Sequence, residues 1–457
     1  MVPSLVPPLL AHRHSDEFAP PAWTPRDRRV VHRVACTAAR VAPRLGLSER
    51  AWLEGRTGTA TTLRAIDAEA GGGYYSIDPA AESDPVAADA AFAGDEVVID
   101  VQTHLVRPSL AAGPAGDALF GFLRSVDPDR WGAGVDPLLI GGAQWAAHLF
   151  GGSETAVVLL TSPPGRPHEN VLTNPDIAIA REIVDRYAGT GRVLTHTIVH
   201  PNLGEAERDA MAAWSESLRP AGWKVYTLWE PPEARGVGGW FLDDDETGGP
   251  FLEQVRASGR TIVCAHKGLG GPIASLAPAG ASPRDVGPAA RAFPDLTFVV
   301  YHSGYELPSA RDGDAAADPA GGVGRLAASL SAAGVAPGSN VYGELGSTWF
   351  LVSRRPEEAA HVLGTLLRCV GEDRILWGTD SVWYGAPQSL VDAFRAFTIP
   401  EWMQERFDYP PLTRAAKEKI LSANAAQLYG VDVDRVRRTG VADWLPDARR
   451  ELADRLA

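Results

Sequence analysis

Cysteine is scarce. Cys36, Cys264 and Cys369 are the only three in 457 residues, and no two form a C-x-x-C pair. That excludes a disulfide framework and a cysteine-rich zinc site, and it fits a reducing compartment. Positive charge is the minority sign: 43 Lys and Arg stand against 57 Asp and Glu, a formal net charge of −14. Such a balance argues against nucleic acid or an anionic membrane as partner. No run of 18 apolar residues occurs, so no membrane span is predicted. No G-x-G-x-x-G follows an early strand, which weakens a dinucleotide-binding, doubly wound sheet. Arg28-Arg29 precedes a segment interrupted by His32, Arg33, Arg40 and Arg44, so the apolar stretch of an export signal is missing and a cytoplasmic protein is expected.

What is present is a rhythm. Short β-branched runs begin at Val97 and recur at Ala156–Leu160, Val193–Val199, Trp223–Leu228, Thr261–Ala265, Thr297–Tyr301, Val341–Leu345 and Ile375–Gly378. Helical stretches separate several of them, among them Pro175–Ala188, Glu205–Leu218, Pro250–Ser258 and Pro356–Val370. Eight strands alternating with helices predict an α/β fold, a (β/α)8 barrel, which needs about 250 residues. Residues 1–95 read as a proline-rich arm and a helical extension, 96–430 as the barrel and 431–457 as a C-terminal helical tail. Ser48 is positioned to cap a helix over Glu49–Ala70.

The first strand ends Asp100-Val101-Gln102-Thr103-His104. Simple alternation places Asp100, Gln102 and His104 on one face and Val97, Ile99 and Val101 on the other. Other strand ends carry Lys224 and Tyr226, His266-Lys267, His302-Ser303-Gly304, Glu344 and Asp380. In a barrel these ends converge at one mouth. Imidazoles and a carboxylate meeting there suit a divalent metal ion that activates water.

Four segments carry a resemblance: Asp100–His104, Ala265-His266-Lys267, Tyr301-His302-Ser303-Gly304 and Leu376-Trp377-Gly378-Thr379-Asp380. In order and spacing the chain resembles the amidohydrolase superfamily, in the amidohydrolase-related branch that includes aminocarboxymuconate semialdehyde decarboxylase. The resemblance implies a distorted (β/α)8 TIM barrel and one divalent metal held by His104, His266 and Asp380, with His302 as the catalytic histidine and Asp380 orienting or deprotonating water. Zinc is the first expectation. The chain departs from the pattern at Gln102, which stands where the first His of His-x-His belongs. Three roles are open to it: a ligand through its amide oxygen, shifting preference toward manganese or iron; a bystander that leaves the ion to three protein ligands and extra water; or a substrate hydrogen-bonder in a site without metal.

Lys224, Tyr226, Glu344, Lys267 and Trp383 complete the expected site as substrate-binding residues. Lys224 is open to a substrate carboxylate or to pairing with Glu344, and Lys267 to a substrate carboxylate or a salt bridge. Trp229, Trp240, Trp349, Trp383 and Tyr384 follow strand ends, where aromatics either line a pocket or fill the core. His196 and His200 read as pocket wall or support for the site, and His12, His14, His32, His148, His168 and His361 as surface or packing residues. The first functional expectation is hydrolysis of a C–N or C–O bond of a small organic substrate by metal-activated water. The alternatives are a metal-dependent non-oxidative decarboxylase of a small aromatic or unsaturated acid, and a metal-free binding protein. A small-molecule substrate is expected and, from the resemblance alone, a homodimer.

Overall fold

The β-branched runs become eight parallel strands paired in sequential order. In a computed structural model these are β1 (Val98–Thr103), β2 (Thr155–Leu160), β3 (Val193–Ile198), β4 (Gly222–Tyr226), β5 (Ile262–His266), β6 (Thr297–Tyr301), β7 (Val341–Glu344) and β8 (Ile375–Leu376). The structure describes residues 5–132, 136–165, 170–228, 239–269, 278–308, 311 and 317–456; His168 and Trp229 lie outside them. Helices follow the strands on the outside, for example Asn174–Ala188 after β2, Glu205–Ser217 after β3 and Pro356–Cys369 after β7. This is a (β/α)8 barrel.

The ring closes where β8 runs out. Trp377 O accepts from Val101 N at 3.0 Å, Gln102 O accepts from Asp380 N at 2.9 Å, and Thr103 bridges to Ser381. The Asp100 carboxylate staples this seam, accepting from Thr379 N (3.0 Å), Gln102 N (3.1 Å) and Thr379 Oγ1 (2.5 Å). Burial pushes the Asp100 carboxyl up to about 7.

The simple alternation expected for β1 does not hold. Val97, Ile99 and Val101 join Val157, Leu159, Cys264, Val299, Tyr301 and Leu376 in the cluster that fills the barrel's interior. The pairing of β1 with β2 slips between Asp100 and Thr103. Such an irregularity re-aims side chains at a barrel rim, and it is what lets Gln102 and His104 face the mouth although Ile99 and Val101 face the interior below.

Two other expectations are refined. The helix over Glu49–Ala70 is two helices, Glu49–Glu54 and Arg56–Glu69, broken at an extended Gly55; Ser48 caps the first by accepting from Ala51 N. Gly58 then passes so close to the Trp52 and Leu53 backbone that any Cβ there would overlap it. The N-terminal arm is irregular but tightly held. Leu9, Leu10 and Phe18 are buried, and Trp23 Nε1 donates to Leu10 O at 3.0 Å. The arm and the first helices share one hydrophobic cluster with the barrel's outer helices. Among the described residues no helix is long and apolar enough to cross a membrane.

Candidate metal centre

The strand ends meet as one buried set of nitrogen and oxygen atoms. His104 lies just after β1, His266 ends β5, His302 follows β6 and Asp380 follows β8; each is 2% exposed or less. His104 Nε2 stands 3.0 Å from Asp380 Oδ1. Gln102 Nε2 donates to the same oxygen at 3.1 Å and lies 3.5 Å from His302 Nε2. The His266 and His302 rings pack edge to face, 4.7 Å between centroids.

Proton placement on two of the imidazoles follows from their outer partners. His104 Nδ1 donates to the Thr161 carbonyl at 2.9 Å, and His302 Nδ1 donates to the Gly346 carbonyl at 2.6 Å. A carbonyl cannot donate, so in the neutral ring each Nε2 carries a lone pair turned into the site. Burial lowers His302 to about 4 and holds His266 well below the usual imidazole range, so both are neutral at physiological pH. Burial pushes the Asp380 carboxyl up, but the contacts with His104, His302 and Ser347 outweigh it and hold the group below its usual range.

The turns that carry these groups are strained and strapped. Of the seven non-glycine residues with left-handed φ among those described, four are His302, Ser303, Ser347 and Asp380. Strain of this kind persists only where the surroundings impose it, and it concentrates at functional sites. Glu344 does much of the imposing: one carboxylate oxygen accepts from His302 N at 3.0 Å and the other from Gly346 N at 2.5 Å. Ser303 Oγ donates to Glu344 O at 2.8 Å, and Thr348 Oγ1 donates to His302 O at 3.0 Å. Ser347 Oγ donates to Asp380 Oδ2 and lies 2.5 Å from Tyr384 Oη. Replacing Glu344 by Ala is expected to weaken metal binding by about 10- to 100-fold, the usual loss when a group that orients ligands is removed. Titration of the purified variant with Mn²⁺ measures it.

The expected residues divide once placed. His104, Gln102, His266, His302 and Asp380 converge. Lys224 lies within the barrel, its Nζ 3.3 Å from the Tyr301 ring centroid and 4.7 Å from that of Tyr226, with no hydrogen-bond partner. Tyr226 packs against His266 with the rings tilted and their centroids 5.3 Å apart, and it donates to Ser162 O at 2.9 Å. Glu344 is spent on backbone amides rather than on Lys224. Lys267 departs from the substrate role: its Nζ is bonded to Asp285 at 2.7 Å and Gly280 O at 3.0 Å, because the residue after a strand-end histidine points out of the barrel. Trp383 also departs, packing in the cluster of Leu105, Trp131 and Trp145, while its neighbour Tyr384 reaches the site through Ser347. Gln102 turns its amide nitrogen, not its oxygen, toward Asp380 and His302. Its Oε1 faces the space left by Gly346 and has no partner, so oxygen ligation is not the arrangement seen.

One residue has no counterpart in the sequence reading. Glu17, from the N-terminal arm, places Oε1 2.5 Å from His266 Nε2 and Oε2 3.5 Å from His302 Nε2. The adjacent Asp16 is buried with both oxygens unpartnered. Glu17, His266 and His302 present ligand-type atoms within 4.8 Å of one another. Nothing local in the sequence marks Glu17, since it belongs to no strand.

A profile of the amidohydrolase family matches residues 168–431, more than half of the chain and the stretch that carries β3 to β8. The chain belongs to the amidohydrolase family. Barrel and family together are those of an enzyme. No curated protein matches the chain significantly. Among solved structures, this amidohydrolase is similar to a 5-carboxyvanillate decarboxylase of Novosphingobium aromaticivorans complexed with manganese and 4-hydroxy-3-methoxy-5-nitrobenzoic acid. The identity is 16%, the match covers 74% of this chain and 96% of that one, and the TM-score is 0.47. A 2,6-dihydroxybenzoate decarboxylase from Rhizobium matches at 16% identity over 74% of this chain and 99% of its own, with a TM-score of 0.42. A putative 2-pyrone-4,6-dicarboxylic acid hydrolase of Pseudomonas putida matches at 15% identity over 74% and 99%, with a TM-score of 0.41.

Proposed function

We propose that this amidohydrolase is a metal-dependent enzyme acting on a small carboxylate-bearing molecule at the C-terminal mouth of the barrel. The observation that carries the reading is the meeting of electron pairs. His302 turns its Nε2 lone pair inward, and the Glu17 carboxyl faces it at 3.5 Å, while Asp380 Oδ1 stands 3.0 Å from His104 Nε2. Neither nitrogen of the buried His266 makes a hydrogen bond, although its Nε2 lies 2.5 Å from Glu17. Imidazole nitrogens and carboxyl oxygens gathered this closely in a dry interior suit a cation among them. Neutral imidazole and carboxylate are the donors that zinc, manganese and iron share.

His104, His266 and Asp380 would hold the ion. A divalent ion there supplies Lewis acidity, polarising a bound oxygen and lowering the pKa of water toward neutrality. The Lys224 ammonium binds the substrate's carboxylate. Burial lowers this group to about 8, which leaves it charged at neutral pH, and it has no hydrogen-bond partner of its own. Tyr226 walls the same space.

Non-oxidative decarboxylation is the reading favoured. The carboxylate that Lys224 recognises leaves as neutral CO2, and the proton that replaces it on carbon comes from solvent water, relayed through the Asp380 carboxylate or the His302 Nε2 lone pair. Desolvation of an ionised group that becomes neutral works in the direction of reaction. Hydrolysis of a C–N or C–O bond is the second reading, favoured by Asp380, whose ionised carboxylate beside neutral imidazoles is suited to take a proton from water. A screen of small aromatic and unsaturated acids in H₂¹⁸O separates them. Released CO2 without ¹⁸O in the organic product supports the lyase; ¹⁸O incorporation with bond cleavage supports the hydrolase. Protein purified without chelators and found free of stoichiometric metal would sink both.

A further inference from the structure

We propose that Glu17 of the N-terminal arm is a ligand of the metal centre, standing in for the imidazole that the first strand lacks. The inference rests on the metal-dependent reading above and goes beyond it, because it makes a segment outside the barrel a part of the site.

Three observations carry it. The first is a vacancy in chemistry at Gln102. Its amide nitrogen donates to Asp380 at 3.1 Å, and swapping nitrogen for oxygen would set an amide oxygen against that carboxylate. The first strand therefore offers the ion one imidazole, His104, where the family pattern has two. The second is Glu17 itself. Its two oxygens reach toward His266 Nε2 and His302 Nε2, and the His266 contact, though 2.5 Å long, lacks the geometry of a hydrogen bond. Together, Glu17, His266 and His302 bring a carboxylate oxygen and two imidazole nitrogens within 4.8 Å of one another, a donor set of the kind that holds an ion. The third is the way the arm is anchored. His14 Nε2 accepts from Trp131 Nε1 at 2.9 Å, Glu17 N donates to Ser15 Oγ at 3.0 Å, and Phe18 packs against the stacked pair of Phe350 and Tyr384, 6.4 Å from each ring. Burial of Phe18 beside Glu17 holds the carboxylate in a fixed place, which a ligand requires and a chance surface contact does not. The unpartnered Asp16 carboxyl and Lys224 ammonium, both buried, independently mark the space around Glu17 as one built for a ligand.

Chemically the exchange of an imidazole for a carboxylate hardens the donor set. Two carboxylates, Glu17 and Asp380, with imidazoles favour manganese or iron relative to a site of three histidines and one carboxylate. Docking of the arm and binding of the ion then support one another, since each supplies what the other lacks.

The test compares wild type with Glu17→Gln, Glu17→Asp and His266→Ala. Affinity for Mn²⁺ is measured by competition with a chelating dye, and bound Mn²⁺ is followed by its paramagnetic resonance spectrum. Glu17→Gln keeps the shape of the arm and removes the charge, and it should bind Mn²⁺ at least about 100-fold more weakly. Glu17→Asp should lie between it and wild type. Limited proteolysis gives a second readout: adding Mn²⁺ should slow cleavage in the arm of wild type and leave the rate in Glu17→Gln unchanged. Equal or tighter binding by Glu17→Gln would overturn the inference and make Glu17 a plug that the ion or substrate displaces. An equal loss in Glu17→Gln and Glu17→Asp, with lowered thermal stability in chelator, would overturn it in favour of a purely structural role. His266→Ala separates the two levels. If it loses the ion and Glu17→Gln does not, the metal reading stands and this inference falls. If wild type itself binds no Mn²⁺, both fall.

Discussion

Replacing Asp380 by Ala is expected to strip the metal and lower turnover by about 10³-fold or more. Its carboxylate is the group on which the separate pieces of the site meet. His104 Nε2 lies 3.0 Å from one oxygen, Gln102 donates to that oxygen at 3.1 Å, and Ser347 donates to the other. Removing it leaves two imidazoles with no anionic partner from the barrel and takes away the group proposed to move a proton. Several kcal/mol of transition-state stabilisation goes with a catalytic ion, and each 1.36 kcal/mol is about tenfold in rate. The measurements are elemental analysis of the purified variant and its turnover on the substrate found by the screen, with circular dichroism to show that the barrel persists. A variant that holds a full equivalent of metal and turns over within tenfold of wild type would remove Asp380 from the centre.

The second large effect lies outside the site and is one of stability. Asp285→Ala is expected to destabilise the fold by about 3–5 kcal/mol, because it strands a buried charge. Lys267 and Asp285 are both fully buried, their ion pair is 2.7 Å long, and Asp285 Oδ2 also accepts from Leu242 N at 2.7 Å. Without the carboxylate the Lys267 ammonium keeps only the Gly280 carbonyl. The double variant Lys267→Met/Asp285→Leu removes both charges and is expected to recover part of the loss, short of the lost Leu242 hydrogen bond. Urea unfolding midpoints of the wild type, the single variant and the double variant check this. A single variant within about 1 kcal/mol of wild type would mean that Lys267 sheds its proton at little cost.

The same pair shows where reading by residue type stops. A lysine after a strand-end histidine suits a substrate carboxylate and a salt bridge equally well. Which it serves depends on whether it points into the mouth or behind it, and a partner 18 residues away on another turn decides that. Trp383 and Tyr384 are a second case. Both follow β8 and both are aromatic, yet only Tyr384 reaches Asp380's neighbourhood, because one residue of displacement turns a side chain from core to site.

Much of the centre was nevertheless legible. His104, His266, His302 and Asp380 stand at the ends of strands whose β-branched composition marks them, and in a barrel the ends of strands meet wherever the strands are in the chain. Periodicity therefore sufficed to bring together residues up to 276 positions apart, from His104 to Asp380. What periodicity gets wrong is β1, where alternation predicts one face for Asp100, Gln102 and His104. The slip in pairing between Asp100 and Thr103 separates Asp100, which staples the seam, from Gln102 and His104, which face the mouth.

The sequence by itself determined the barrel, the four residues that family and spacing bring to its mouth, and the absence of an imidazole at Gln102. These are local properties, written in composition, alternation and short motifs. Only the tertiary structure decided the direction of the Gln102 amide, the commitment of Glu344 to the His302 turn and the arrival of Glu17 from an arm that belongs to no repeating element. The physical reason is the same for all three. Each depends on packing between segments distant in sequence, where side-chain direction and a buried contact, rather than residue type, set the chemistry.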